Sequence, residues 1–568
     1  MKRFFLLLFL VPLLVRGQQY TNPVLHMDYS DPDVCRVGDD FYMTASSFNC
    51  FPGLPVLHSR DLVHWELIGA ALADYPEEGS GAFRTAVRHA EGVWAPAIRY
   101  HDGWFYIFCG DPDRGVFMVR TQDPGGRWEP PVWVVRQKGF IDPCPFWDED
   151  GTAWLSHGLA GSRAGLKSVL FLAPMAPDGT RLLGPSRIIY DGHLTQPTIE
   201  GTKLYKRDGR YYLFAPAGGV ATGWQTVLRA ESLYGPYAEK IVLASVPGTV
   251  NGPHQGAWVD TPSGQDWFLH FQDKGAYGRI VHLQPMRWTP DGWPLIGEDP
   301  DGDGVGQPVR SWDLPDVRPA GHPDRERGGV LPARTGPYGL SLEWQYPAVP
   351  SPYWHYALPG GGIRLYSAQQ PETPNLWNCP NLLSQKFPAE RFTVTARLTF
   401  RPNPQLKEHG EQAGFAITGN DLFGLRLTDA GDHALLTAFF APRAADGLPE
   451  QVETLERLSY RLEKQSFPYA SPGVPAVSYP DRPLTEIWVR LEVRPQEVSG
   501  NVPDAVCRIS YSLDGRTFRH VSEHTARPEV WTGAKFGFWC LRHAEKNDAG
   551  WLDVTEVEVR TESADGSR

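Results

Sequence analysis

Hydrophobic and polar positions alternate in short runs along the first 300 residues. Aromatic segments recur behind tight turns: GDDFYMTAS (38–46), HDGWFYIFC (101–109), EDGTAWLSH (149–157), RDGRYYLFA (207–215) and SGQDWFLHF (263–271). An Asp-Gly or other Gly-containing turn leads into each, the signal of a β-hairpin. Before each turn lies another short strand: DVCRV, PAIRYH, CPFWDE, TKLYKR and GAWVDT. The units repeat about every 50–60 residues, and five such units of several strands predict an all-β, five-bladed β-propeller over 18–312. Long helical periodicity is absent.

The texture changes at WDLPDVRPAGHPDRERGGV, whose Pro, Gly and charge content predicts a linker over 313–335. A second all-β region follows over 336–568. RFTVTARLTF (391–400), EIWVRLEV (486–493) and DVTEVEVR (553–560) alternate as half-buried strands do, and VCRISYSLDGRTFRHV (506–521) reads as a hairpin. Together they predict a β-sandwich. Within it, TLERLSYRLEK (454–464) carries Leu455, Leu458 and Leu462 at a spacing that suggests a helix.

Composition narrows the picture. With 41% apolar and 21% charged residues in 568, the chain can build sizeable cores. The net charge of -12 argues against nucleic acid, which needs clustered Lys and Arg. A basic start, MKR, precedes the apolar run FFLLLFLVPLLV and the small residues Val15 and Gly17. Residues 1–17 therefore read as a signal peptide of an exported protein, periplasmic or extracellular, with no membrane span after its removal. The seven cysteines show no CxxC spacing; buried free thiols are expected, with one or two disulfides among the first four as the alternative. DPDGDGVGQPVR (299–310) starts like a calcium loop with Asp299, Asp301 and Asp303. It ends in Arg310 where a bidentate Glu is required, so a tight loop is expected.

In a propeller the first strand of each blade lines a central channel, so the residues opening each unit converge. Those openings are YSDPDV with Asp31, VWAPAIRY with Trp94, IDPCPF with Asp142, PTIEGTKLY with Glu200 and NGPHQGAW with His254. Three blades thus offer a carboxylate at what reads as an equivalent place, beside an aromatic ring and an imidazole. Such a funnel suits glycosidic bond hydrolysis, which pairs a carboxylic acid with a carboxylate base. Asp33 and Asp148 read as turn or surface residues.

At these residues the chain resembles glycoside hydrolase family 43, in particular its β-xylosidase-like members with a C-terminal sandwich. NPVLHMDYSDPDVCRVGDDFYMTASSFNCFPGLPVLHSRDLVHWELIG is similar to the first blade of that family and VWAPAIRYHDGWFYIF to the second, while NLLSQK (381–386) and EQAGFAI (411–417) resemble the appended domain. The resemblance implies a five-bladed β-propeller followed by a concanavalin-like β-sandwich, and hydrolysis with inversion at the anomeric carbon. It implies that Asp31 is the general base, Asp142 the carboxylate that tunes the acid, and Glu200 the general acid. His254 matches a histidine at the channel centre that in some members helps to hold a hydrated calcium ion; no other metal and no required cofactor is implied. Arg279 matches an arginine that reaches sugar hydroxyls, and Phe48 and Trp94 match apolar walls of the sugar subsite. The expectation is an exo-acting enzyme that removes terminal β-D-xylose from xylooligosaccharides, with the sandwich lending a loop that closes the pocket. The alternatives are an α-L-arabinofuranosidase acting on arabinose-containing oligosaccharides and, in another class, a non-catalytic carbohydrate-binding protein.

Overall fold

The computed structural model describes residues 18–73, 86–246, 250–318, 339–348, 353–406, 410–463, 482–496, 504–545 and 547–562. The expected signal peptide and most of the expected linker lie outside the described residues. Strand β1 (Gln19–Thr21) leads into five four-stranded antiparallel sheets, which are the blades. Blade one is β2 (Asp33–Val37), β3 (Asp40–Thr44), β4 (Gly53–Ser59) and β5 (Trp65–Leu72). Blade two is β6 (Trp94–His101), β7 (Trp104–Asp111), β8 (Gly115–Thr121) and β9 (Val132–Val135). Blade three is β10 (Phe140–Trp147), β11 (Ala153–Leu159), β12 (Val169–Met175) and β13 (Arg187–Asp191). Blade four is β14 (Lys203–Arg207), β15 (Arg210–Ala217), β16 (Trp224–Ala230) and β17 (Ala238–Leu243). Blade five is β18 (His254–Asp260), β19 (Asp266–Asp273), β20 (Arg279–Trp288) and β21 (Pro294–Ile296), and β22 (Ser311–Asp313) follows it.

The Asp-Gly signals close the hairpins as their chemistry requires. His101 pairs with Trp104 across Asp102 (φ 47°) and Gly103 (φ 80°), and Arg207 with Arg210 across Asp208 (φ 49°) and Gly209 (φ 75°). Two left-handed residues in a row match the twist of the flanking strands. Both faces of every blade are apolar, and the side chains interlock between neighbours: Val56 with Ile107, Phe108 with Leu155, Leu170 with Leu213, Phe214 with Phe268, and Leu269 with Phe41. That last contact closes the ring. The N-terminal segment reinforces it: β1 pairs with β22, and Leu25 and Tyr29 donate to the Val281 and Arg279 carbonyls of blade five before the chain enters blade one.

The C-terminal region is two packed sheets of eight and seven strands among the described residues, antiparallel except where Ala368–Gln369 runs parallel to Lys535–Arg542. Phe392–Arg401 sits between Trp551–Thr561 and Arg482–Pro495 in one, and Lys535–Arg542 between Gln412–Thr418 and Leu382–Lys386 in the other. Val394, Leu398 and Phe400 face Phe415, Phe536 and Phe538 in a shared core. The expected helix at 454–464 is instead strand, Gln451–Ser459 and Arg461–Glu463. Leu436 pairs with Glu456 and Thr437 with Thr454, so Leu455 is the extra residue of a bulge. The bulge breaks strict alternation and leaves the leucines at a spacing that mimics a helix.

The two domains share backbone and core. Phe51 and Tyr346 exchange both of their main-chain hydrogen bonds, and Ala534 donates to Ala276 O at 2.7 Å. Tyr277, from the loop before β20, is buried in the sandwich core and donates its hydroxyl to Glu390 O. All seven cysteines are free, and all but Cys35 are buried; the disulfide alternative is not realised. The 299–310 segment is a tight loop in which Asp299 accepts from the Asp303 and Gly304 amides.

Candidate active site

Within two residues of the start of each innermost strand stands a residue with left-handed backbone: Asp31 (φ 54°), Ala95 (38°), Asp142 (55°), Gly201 (66°) and Gln255 (29°). In blades two, three and five the pairing register shifts at this point, between Trp94 and Ala97, Ile141 and Cys144, and His254 and Gly256. Positive φ at non-glycine residues costs of order 1–3 kcal/mol each, a strain that clusters at functional sites. At Gly201 (φ 66°) a Cβ would lie 2.6 Å from Gln255 Cγ and 2.8 Å from Pro216 Cδ, so any other residue is strained and must displace those side chains.

This repeat corrects one expectation. The three carboxylates are not at equivalent positions. Asp31 and Asp142 occupy the left-handed site, whereas Glu200 precedes it by one residue, as Trp94 and His254 do. Asp31 and Asp142 are buried, while the Glu200 side chain is 28% exposed. A second correction concerns Asp33, which is neither turn nor surface. It is fully buried, accepts from Ile98 N–H at 2.7 Å and pairs with Arg99 Nη1 at 2.6 Å. Asp148 does lie in a turn, where it accepts from Lys206 and the Tyr211 hydroxyl.

The surroundings of the three acids differ. Asp31 Oδ2 accepts from Ser46 Oγ at 2.5 Å, and Ser46 Oγ accepts in turn from Ala95 N–H at 2.7 Å. Arg279 Nη1 lies 3.4 Å from Asp31 Oδ1, with its guanidinium over the Phe271 ring. Burial raises the Asp31 pKa above its ordinary value, while Arg279, Ser46 and Lys203 act against that rise. Burial also pushes Asp142 up to about 6, against the Gly201 N–H that its Oδ2 accepts at 2.7 Å and with the help of the Asp31 charge. Glu200 is pushed up to about 8 by burial first, then by Asp142 and Asp31. The site thus holds one carboxyl protonated at neutral pH beside one supplied with ion-pair and hydroxyl donors. Because Asp142 binds the amide next to Glu200, it also fixes the peptide that carries the acid.

His254 Nε2 lies 3.6 Å from Glu200 Oε1, and both ring nitrogens are buried without a hydrogen bond among the described residues. Burial and Arg279 bring its pKa down to about 3, so the ring is neutral. No group of three or more His, Cys, Asp or Glu side chains placed to hold a metal occurs among the described residues. Calcium takes six to eight oxygen ligands, so the donors here do not fit a directly bound ion; a hydrated one would meet His254 through its own waters.

The apolar side of the mouth is a cluster of Phe48, Trp94, Ile141 and Ala160. Phe48 and Val93 exchange main-chain hydrogen bonds, and Trp94 Nε1 donates to Ala90 O. Trp531, on the sandwich loop, packs edge-on against Trp94 with centroids 4.5 Å apart and lies 6.0 Å from Phe48. Trp531 as a whole is 41% exposed. This loop is held down by Asp28, whose two oxygens accept from Arg279 N–H and Gly533 N–H, and by Glu529, which pairs with His89 and Lys535. Sequence reasoning placed Asp31, Asp142, Glu200, His254, Arg279, Phe48 and Trp94, all of which the structure brings to this mouth. It missed Trp531, Ser46 and Asp28. PEVWTGAK carries no signal for Trp531, because the aromatic acts on residues more than 400 positions away.

Residues 20–294 match the model for glycosyl hydrolases family 43. Residues 337–560 match the β-xylosidase C-terminal concanavalin A-like domain. A putative β-xylosidase of Xylanibacter ruminicola is 40% identical over 413 residues, 72% of this chain and 73% of the relative. The chain belongs to glycoside hydrolase family 43. This hydrolase is also 31% identical to a non-reducing-end α-L-arabinofuranosidase of Bacteroides ovatus, over 71% of its chain and 74% of the relative. Its fold matches that of a xylan β-1,4-xylosidase from Bacillus halodurans with a TM-score of 0.73 at 22% identity, covering 95% and 100% of the two chains. The non-catalytic alternative is thereby set aside in favour of an enzyme.

Proposed function

We propose that this hydrolase is an exported, exo-acting β-xylosidase that releases terminal β-D-xylose from xylooligosaccharides in a single inverting displacement. The observation that carries the reading is the unequal environment of Asp31 and Glu200 around one mouth. Asp31, supplied by Arg279 and Ser46, takes a proton from water as that water attacks the anomeric carbon. Glu200, kept protonated by burial and by the Asp142 charge, gives its proton to the leaving oxygen. A single displacement requires room for that water between base and acid, which the two-step retaining route does not. Arg279, beside Asp31 with 10% of its side chain exposed, offers a guanidinium suited to a sugar hydroxyl. Trp94, Phe48 and Trp531 offer apolar surface to the ring. The capped mouth favours removal of end units from short chains over binding along a polymer.

The relatives' names include both xylosidase and arabinofuranosidase, so the substrate panel compares xylobiose, an aryl β-D-xyloside and an aryl α-L-arabinofuranoside. The expected result is turnover of both xylosides, with α-xylose as the first product seen by anomeric proton NMR. β-Xylose as first product overturns the single displacement. Turnover of the arabinoside alone overturns the substrate and leaves the mechanism standing.

A further inference from the structure

Beneath the carboxylates lies a cation that the mechanism above does not use. Lys203 opens β14, two residues after Gly201, and is 1% exposed. Its Nζ donates to Pro96 O at 3.2 Å, on the innermost strand of blade two. Blade three stands between blades four and two in the ring, so the lysine stem runs across the channel rather than round its wall. The innermost strands continue from there to the opposite mouth. Their far ends, including Arg36, His101, Trp147, Lys206 and Asp260, line a separate cavity of about 580 Å³. Lys203 therefore lies between the carboxylate mouth and that cavity.

A buried ammonium group with a carbonyl as its acceptor is costly unless negative charge balances it. Two buried carboxylates are likewise hard to ionise together. Here the two problems meet. The Lys203 charge acts on Asp31 of blade one and Asp142 of blade three, favouring the ionised form of each. Asp28, from the segment ahead of blade one, adds negative charge that raises Asp31. Cys109, from blade two, gives its thiol to Trp94 O. Arg279 reaches Asp31 from blade five. In the layer below, Asp33 is paired with Arg99, which also reaches Cys144 Sγ at 3.1 Å. Lys203 is thus the buried cation of the layer that faces both site aspartates from the floor.

We propose that Lys203 is a positioning residue of this hydrolase: its ammonium group, laid across the channel floor, keeps Asp31 and Asp142 ionised together and so holds the base in its working state. The proposal rests on the reading of Asp31 as the base. The test compares wild type, Lys203→Met and Lys203→Arg in the full chain, by the pH profile of kcat/KM on an aryl β-D-xyloside and by Tm against pH. In Lys203→Met the acid limb moves up by about one pH unit or more, equivalent to a tenfold loss on that limb; Lys203→Arg keeps the wild-type limb. The Met variant also melts below wild type at pH 8 but not at pH 3, below the ordinary carboxylate range from which both aspartates are raised, where the ammonium has little to balance. An acid limb unmoved in an active Met variant overturns the proposal, since a mere filler lowers the rate equally at every pH. If the wild type turns over no test sugar, the functional reading fails instead. The Tm comparison then decides the charge role alone, and an equal Tm loss at both pH values rejects it. Should Lys203→Met not fold, Lys203→Met/Asp142→Asn restores the charge balance and folds; failure of that pair while Lys203→Arg folds also overturns the proposal.

Discussion

Asp31 and Glu200 carry the same functional group, and what separates them is a handful of neighbours. Burial, then the charges of Asp142 and Asp31, hold the Glu200 pKa up to about 8, and His254 Nε2 approaches its Oε1 at 3.6 Å. Asp31 has an arginine, a serine hydroxyl and Lys203 acting on it. The sign of the Asp142 contribution follows. Its charge raises the Glu200 pKa, and the acid must be protonated to act, so removing that charge lowers the basic limb of kcat/KM. Asp142→Asn is expected to move that limb below its wild-type position near pH 8 and to reduce the rate roughly 10²-fold or more at neutral pH. A basic limb that stays in place shows that Asp142 does not tune the acid. Asp31, Asp142 and Glu200 were legible in the sequence because each stands next to the turn that opens a strand. Lys203 was not legible: in TKLYKR it reads as one of two solvated lysines, and its acceptor lies 107 residues away.

At the scale of elements, the blades were legible because two local signals agree, Asp-Gly hairpin turns and short apolar alternation. The bulges were not. They add one residue without changing composition, which is why the Leu455 segment imitates a helix; the left-handed residue that puts Glu200 one position ahead of Asp31 and Asp142 is equally silent in the sequence. The loop bearing Trp531 has its effect by reaching the propeller, and nothing in its own sequence marks that. Trp531→Ala removes the ring packed on Trp94 and opens the mouth. The expected outcome in steady-state kinetics on xylobiose is a KM increase that lowers kcat/KM by about tenfold, ~1.4 kcal/mol, with kcat changed less. A fall in kcat at unchanged KM contradicts a role in holding the sugar.

At the scale of the molecule, propeller and sandwich act as one unit. Tyr277 is a propeller residue in the sandwich core, and the Asp28 carboxylate joins the amide of Arg279 to that of Gly533. A site in which Asp31, the proposed base, is braced by Arg279 and Trp94 is packed by Trp531 draws on both domains. Calorimetry on the wild type is expected to show a single unfolding transition. Tyr277→Ala, a large-to-small change in that shared core, is expected to cost about 3–5 kcal/mol and to split the transition. Two separate transitions in the wild type contradict the coupling. The domain order was legible from the change in texture along the chain, whereas this docking was not, because it depends on contacts between segments hundreds of residues apart.

The most direct test of the acid and base assignment is the leaving-group dependence of Glu200→Gln. Xylobiose has a poor leaving group and needs the proton; an activated aryl xyloside needs little acid help. The account predicts that xylobiose cleavage falls by roughly 10²–10⁴-fold in this variant, while the activated xyloside keeps a much larger share of its wild-type rate. Equal losses on both substrates, or full activity on xylobiose, would contradict Glu200 as the general acid.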